Sequence, residues 1–349
     1  MSVSEPSGGL NTSSNAPSYS RPSSAIRGVL FVIGLLLYRL GLARFVIGLR
    51  KNHLRVLLYH AVEDVETPFT ADLDVSVSTA MFDANLVYFK KYYNVVPATD
   101  VGVKPLPSNP MVITFDDGYR SVYEHAFPLL KTRQLPACVY LNTCAVENRL
   151  IWVNELNWAL VDHYDQAVKL CHEFSELCDL TCRVTIIDRI KREFDPADIR
   201  KLIERVRETV GPNENHQLYA NRAELLEMKQ NGISLGFHSR DHLNLANCDH
   251  DELIKQLDSS SLQDLVSPHS FAYPFGEFND SCIEQLRKQD YSSVMTVGNN
   301  NDRFWNKHID RVEIFSADPA DVFAKLEVEE AGMAAIRRIK FGFSRFRKG

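Results

Sequence analysis

"MVITFDDGYR", residues 111–120, sets an apolar run directly against two adjacent acids, Asp116 and Asp117, followed by Gly118. The apolar part reads as a strand. The same kind of run recurs as "RVLLYH" (55–60), "NVVPA" (94–98), "ACVYL" (137–141), "ISLGF" (233–237), "SFAYP" (270–274), "YSSVMTV" (291–297) and "IDRVEIF" (309–315). Helical patterns lie between them, over 79–92, 120–132, 221–230, 251–265, 279–288 and 319–330. Strands alternating with helices predict an α/β sheet or barrel. Residues about 147–220 break the rhythm. "WVNELNWALVDHYDQAVKL" and "IIDRIKREFDPADIRKLIERVRETV" carry apolar stripes at helical spacing and no strand. They predict a helical insertion into the α/β domain rather than a domain of their own.

Two like charges side by side at a strand end call for a reason. In α/β architectures the residues just past the C-terminal ends of strands converge on one face. Asp116 and Asp117 occupy such a place. So do His60 after "LLY", His238 and His242 after "ISLGF", and Pro274, Phe275 and Gly276 after "SFAY". Two imidazoles and one carboxylate suit a borderline cation such as Zn²⁺, with positions left for water whose pKa the cation lowers toward about 7. A second carboxylate that does not ligate can accept the proton. The cation's charge also offsets the repulsion between the acids, and Gly118 permits a close turn. Each piece alone is common: "DDG" is a frequent turn sequence and His-x-x-x-His arises by chance. Their order and placement at strand ends are what carry the reading.

Those residues resemble the polysaccharide deacetylases, the NodB-homology or carbohydrate esterase family 4 group. "TFDDG" (114–118) is similar to the family's first motif, "HSRDH" (238–242) to its second and "YPFG" (273–276) to its third. "LLYHAV", "FDANLVYFKKYYNVV" and "RAELLEMKQNGISLGFHS" resemble its flanking sequence, so the likeness spans roughly residues 54–315 apart from the insertion. The resemblance implies a distorted (β/α) barrel, with the helical insertion falling between the first and second motifs. It implies that Asp116 is the general base, that Asp117, His238 and His242 hold a divalent metal, zinc by expectation, and that the backbone N–H at Phe275 helps bind an oxyanion. The implied reaction removes an N-acyl group, acetyl by expectation, from an amino sugar.

Two departures stand out. Where the family's third motif carries an Arg that tethers the catalytic acid, this chain has Ala272; Arg311 is the candidate substitute, with a plain ion pair as the alternative. The late Leu-x-His motif that supplies the general acid is not evident. His308, the last histidine, could serve instead or equally be an exposed residue beside the strand, so the acid role stays open. "DRFW" (302–305) resembles a fourth-motif fragment, in which Trp305 would floor a sugar site or pack in a core.

Composition and the chain ends bound the rest. A net charge of −6 gives no global pull toward nucleic acid. Seven cysteines, an odd number without framework spacing, fit a reducing compartment. Cys171, Cys178 and Cys182 lack the paired spacing of zinc modules and read as plain thiols. Residues 1–27 are rich in Ser, Pro, Asn and Gly and are expected to be a disordered tail. Residues 28–52 form an amphipathic or hydrophobic helix. Its uninterrupted apolar part, Val29 to Tyr38, is short of the roughly 20 residues of a span, and Arg39 and Arg44 interrupt any longer one. This predicts a helix lying in a membrane interface; a single span with the main domain on the cytoplasmic side, or a helix packed on the domain, are the alternatives. Residues 53–330 are then the catalytic domain. Residues 331–349 are a basic tail, solvated or touching anionic lipid.

The resulting expectation is a membrane-associated, metal-dependent hydrolase acting on an N-acylated glycan or lipid-linked sugar. The alternatives are an amidohydrolase acting on a non-sugar linear or cyclic amide, and a non-catalytic glycan-binding relic.

Overall fold

The structure is a computed structural model that describes residues 24–213, 216–266, 270–289, 291–298 and 306–336. Most of the expected N-terminal tail, the C-terminal basic stretch from residue 337 and "DRFW" with Trp305 therefore lie outside the described residues.

Seven parallel strands close on themselves in chain order: β1 (Arg55–Tyr59), β2 (Pro110–Phe115), β3 (Ala137–Leu141), β4 (Ile233–Phe237), β5 (Ser270–Ala272), β6 (Ser293–Val297) and β7 (His308–Glu313). β7 returns to β1, whose Leu57 and Leu58 pair with Val312 and Glu313. A strand covered on both faces has no solvated side, so its sequence is apolar throughout rather than alternating. Every residue of β1, β2 and β3 is accordingly buried. The barrel is irregular. β4 and β5 share one residue pair, Phe237 with Phe271. β3 pairs with only Thr114 and Phe115 of β2, while the short strand Asn94–Val95 pairs with Pro110 and Met111 at the other end.

Three expected elements are shorter or differently wound. The strand expected over 94–98 stops at Val95, because Pro97 has no N–H for a ladder. The helix expected over 120–132 begins as a π-helical turn, Val122–Ala126, before Phe127–Arg133, with Pro128 in the first turn of the second part. The helix expected over 251–265 ends at Gln256, and an Asp258 side chain that accepts from the Ser260 N–H turns the chain.

Between Trp152 and Val210, the expected insertion, the chain makes the four α-helices Trp152–Asp162, Tyr164–Cys171, Arg183–Glu193 and Pro196–Val210. The last two are separate because Asp195 caps a new helix, accepting from the Asp198 N–H at 2.9 Å, with Pro196 in its first turn.

The N-terminal segment is two helices, α1 (Ser24–Arg39) and α2 (Ala43–Leu49), bent by 120° rather than one helix over 28–52. Gly41, at φ 74°, makes the break. Its N–H donates to Tyr38 O and that of Leu42 to Leu37 O, the paired bonds that end a helix at a left-handed residue. No single described helix is long and apolar enough to cross a membrane. α1 lies on the C-terminal helical stretch, Pro319–Phe323 and Ala324–Glu329, which continues to residue 336. Gly34 permits the contact, since a Cβ there would stand 2.6 Å from Ala324. The other side of the pair is apolar and bare: Val29 is 60% exposed, Leu40 71% and Leu49 69%.

Candidate active site

The acids are turned apart by the backbone. β2 ends at Phe115, and Gly118 N–H donates back to Asp116 O at 2.9 Å, leaving Asp117 at the centre of a three-residue turn with φ 69°. This turn is rare for an L-residue and strained. Left-handed backbone recurs at Ser239, His242 and Phe275. Conformations of this kind gather at functional sites, where the surrounding structure over-determines them.

The side chains meet in a cavity of about 700 Å³ over the mouth of the barrel, lined by Asp116, Asp117, His238, His242, Phe275 and Arg311 among others. Asp117, His238 and His242 each offer a ligand atom, and the three lie within 4.8 Å of one another. His242 Nε2 is 3.3 Å and His238 Nε2 is 3.7 Å from Asp117 Oδ1. That oxygen is buried and accepts no hydrogen bond within the protein. Burial and the adjacent Asp116 push the Asp117 carboxyl well above its ordinary pKa. Burial lowers both histidines, with His238 adding to the effect on His242, so both imidazoles are held neutral, the ligating form. An orphaned buried carboxylate oxygen facing two neutral imidazoles fits a divalent cation of borderline character.

His238 is oriented from behind: its Nδ1–H donates to Ala272 O at 2.7 Å, which leaves Nε2 for the cluster. Asn142 Nδ2 donates to the His238 carbonyl. The Trp152 indole N–H donates to His242 O at 2.9 Å. Sequence reading found neither Asn142 nor Trp152. It flagged Ala272 only for the arginine that position lacks.

Asp116 also borders the cluster, with Oδ2 3.5 Å from His238 Nε2, but its hydrogen-bonded partner lies on the other side. Arg311 reaches it from β7 with Nη1 2.6 Å from Oδ1 and Nη2 2.7 Å from Oδ2, a bidentate bridge with both partners buried. Burial alone would raise the Asp116 pKa; the Arg311 guanidinium, helped by His238, outweighs it and holds the carboxyl well below the usual range. The ring of Phe275 stands edge-on to His242, centroids 4.5 Å apart. His60 also lines the cavity, and burial drives its pKa down to about 4, so it is neutral near pH 7. His308 does not line the cavity. Its Nε2 meets the Tyr273 hydroxyl at 3.2 Å and its ring packs on Phe278, so it is not placed to act as general acid on a substrate in the cavity. Among the described residues Cys171, Cys178 and Cys182 form no metal cluster.

A parallel barrel whose strand ends gather a buried carboxylate and two imidazoles beside an Arg-paired acid defines a class of enzyme-like sites, those of barrel hydrolases. Residues 104–294 match the polysaccharide deacetylase family, and the chain belongs to it. It is 27% identical over 205 residues to the poly-beta-1,6-N-acetyl-D-glucosamine N-deacetylase of Escherichia coli K12, a match covering 56% of this chain and 26% of that protein. The relative from E. coli O157:H7 gives the same figures. The chain thus spans about a quarter of the length of the curated relatives it matches. The Streptococcus pyogenes deacetylase PplD, solved in complex with acetate, shares the fold at a TM-score of 0.53 and 17% identity, covering 78% of this chain and 98% of that one.

Proposed function

We propose that the protein is a metal-dependent deacetylase that removes the acetyl group from an N-acetylated amino sugar. The observation that carries the reading is the division of labour between neighbouring acids: Asp117 faces His238 and His242, while Asp116 is held ionised by Arg311. Asp117, His238 and His242 would hold the cation, zinc by donor set, which when bound supplies Lewis acidity and a water acidic enough to react near neutral pH. Asp116 takes the proton of the attacking water, and Arg311 keeps that carboxylate in place. The Phe275 backbone N–H, offered by a left-handed turn, donates to the oxygen on which charge develops. Apolar walls from Ile151, Val153 and Phe275 limit bulk water. The relatives named as poly-N-acetylglucosamine deacetylases favour a glycan over a non-sugar amide. The presence of all five polar groups weighs against a non-catalytic relic.

The test is acetate release from β-1,6-linked N-acetylglucosamine oligomers by the full chain loaded with Zn²⁺. Release that a chelator abolishes and added metal restores is expected. A metal-loaded, folded protein that releases no acetate from any N-acetylated sugar overturns the reading.

We further infer that the protein works at a membrane surface, on a lipid-linked or envelope glycan, from the cytoplasmic side. The bare apolar side of α1 and α2, with Arg39 and Arg44 beside it, has the make-up of an interfacial helix pair. The positive charges flanking that segment favour retention on the cytoplasmic side. Val32→Glu with Leu36→Glu, both on the exposed side, is expected to move the protein from the floating to the soluble fraction with vesicles containing anionic lipid. Wild-type protein that stays soluble in the same flotation rules the placement out.

A further inference from the structure

The helical insertion does more than cover the barrel, because it delivers a cation to the cavity. Lys191 lies near the C-terminal end of the helix Arg183–Glu193. A lysine in a last helical turn ordinarily extends into water and complements the helix dipole. Here the helix buries Ile186, Ile187 and Ile190, which turns the neighbouring Lys191 toward the barrel. Its side chain keeps only 24% of its exposure and lines the cavity, with Nζ over the Phe275 ring at 5.4 Å from the centroid. That ring is the one packed against His242.

The placement is fixed at the backbone. Asn244, two residues past His242, donates from Nδ2 to Lys191 O at 3.0 Å. Asn247 donates to the carbonyls of Arg192 and Phe194, both at 3.1 Å. The end of the insertion helix and the loop of the second motif are therefore one unit. Among the described residues the other guanidinium or ammonium group lining the cavity, Arg311, is committed to Asp116 by two short bonds. Lys191 Nζ has Asp188 Oδ1 at 3.7 Å, longer than a hydrogen bond, and Asp188 does not line the cavity. A largely desolvated ammonium carries three donors and requires acceptors. The oxygens of a bound sugar are acceptors of the right kind.

We propose that Lys191 is a substrate-contacting residue: its ammonium donates to an oxygen of the bound N-acylated sugar, which makes the insertion a specificity element of the site. The inference rests on the deacetylase reading. Its test compares a sugar with a substrate that has none, using the full chain loaded with Zn²⁺. The probes are an N-acetylglucosamine oligomer and 4-nitrophenyl acetate. Lys191→Met keeps the length of the stem and removes the charge and the donors. The expected result is a rise of about ten- to a hundredfold in KM for the oligomer, the range of a hydrogen bond from a charged donor. Hydrolysis of the nitrophenyl ester stays within about twofold, metal content and melting are unchanged, and Lys191→Arg recovers most of the oligomer affinity. An oligomer KM unchanged in Lys191→Met overturns the inference and leaves the deacetylase reading standing. Equal losses on both probes also overturn it, since they place Lys191 in the chemistry or the fold rather than in sugar binding. A wild type that releases acetate from neither takes down both.

Discussion

Asp116→Asn is expected to lower acetate release by about 10²- to 10⁴-fold, the range ascribed to a positioned general base. The substitution keeps the shape of the side chain and removes its capacity to accept the proton. Asp117, His238 and His242 are untouched, so the metal content of the variant should equal that of the wild type, and the loss should appear in kcat. Arg311→Met probes the same group from the other side. Without the guanidinium, burial dominates and the Asp116 pKa rises. A base acts only when deprotonated, so the acid limb of the rate profile should move to higher pH, with partial recovery of rate under alkaline conditions. The stability sign runs in parallel. A carboxylate held below its unfolded pKa of about 3.9 stabilises the fold above that pH, and the stabilisation is lost as pH falls through the folded value. Arg311→Met should therefore flatten the dependence of stability on acid pH. Full activity in metal-loaded Asp116→Asn would remove Asp116 from the chemistry.

The barrel strands were legible because burial on both faces leaves little to interrupt an apolar run, and parallel order places their C-terminal ends together. Asp116, Asp117, His238 and His242 could be gathered on that rule across a gap of more than a hundred residues. Arg311 could be suspected from the place of Ala272, but the bidentate contact depends on β7 closing against β1 beside β2, a register no local pattern states. Lys191 and Trp152 stayed hidden because each sits in a stripe whose periodicity is that of any amphipathic helix. What makes them site residues is the docking of the insertion, through Asn244 and the His242 carbonyl. His308 misled for the converse reason: the residue type fitted the missing acid, while its surroundings, Tyr273 and Phe278, fit a packed histidine. The turn at Gly41 was written in the sequence, but an apolar pattern on both sides of it reads as one helix.

Glu327→Ala is expected to destabilise the fold by about 3–5 kcal/mol, the cost of leaving one partner of a buried ion pair uncompensated. In "AKLEVEEAG" this acid looks like its neighbours Glu329 and Glu330, a solvated charge on a helix. Its side chain is fully buried instead. Oε1 accepts from Arg55 Nε and from the Tyr93 hydroxyl, both at 2.8 Å; Oε2 accepts from Arg55 Nη2 at 2.8 Å and Arg50 Nη1 at 3.0 Å. One carboxylate thus joins the residue capping α2, the first residue of β1, the residue capping the helix Thr79–Tyr92 and the C-terminal helical stretch. Removing it strands the Arg55 guanidinium, itself 3% exposed, without a counter-charge. Glu327→Gln should cost less, because the amide oxygen still accepts from one arginine. Pairing Glu327→Met with Arg55→Met should recover part of the loss, since the penalty lies in the unpaired charge rather than in the missing bond. Urea unfolding of the four proteins separates these cases, and a Glu327→Ala midpoint equal to that of the wild type would show that the cluster contributes nothing net. Because Arg50 loses its bond to the Glu327 carboxylate, the same variants should loosen α2 from the barrel before the barrel itself opens, visible as faster amide exchange over 43–50 than over β1.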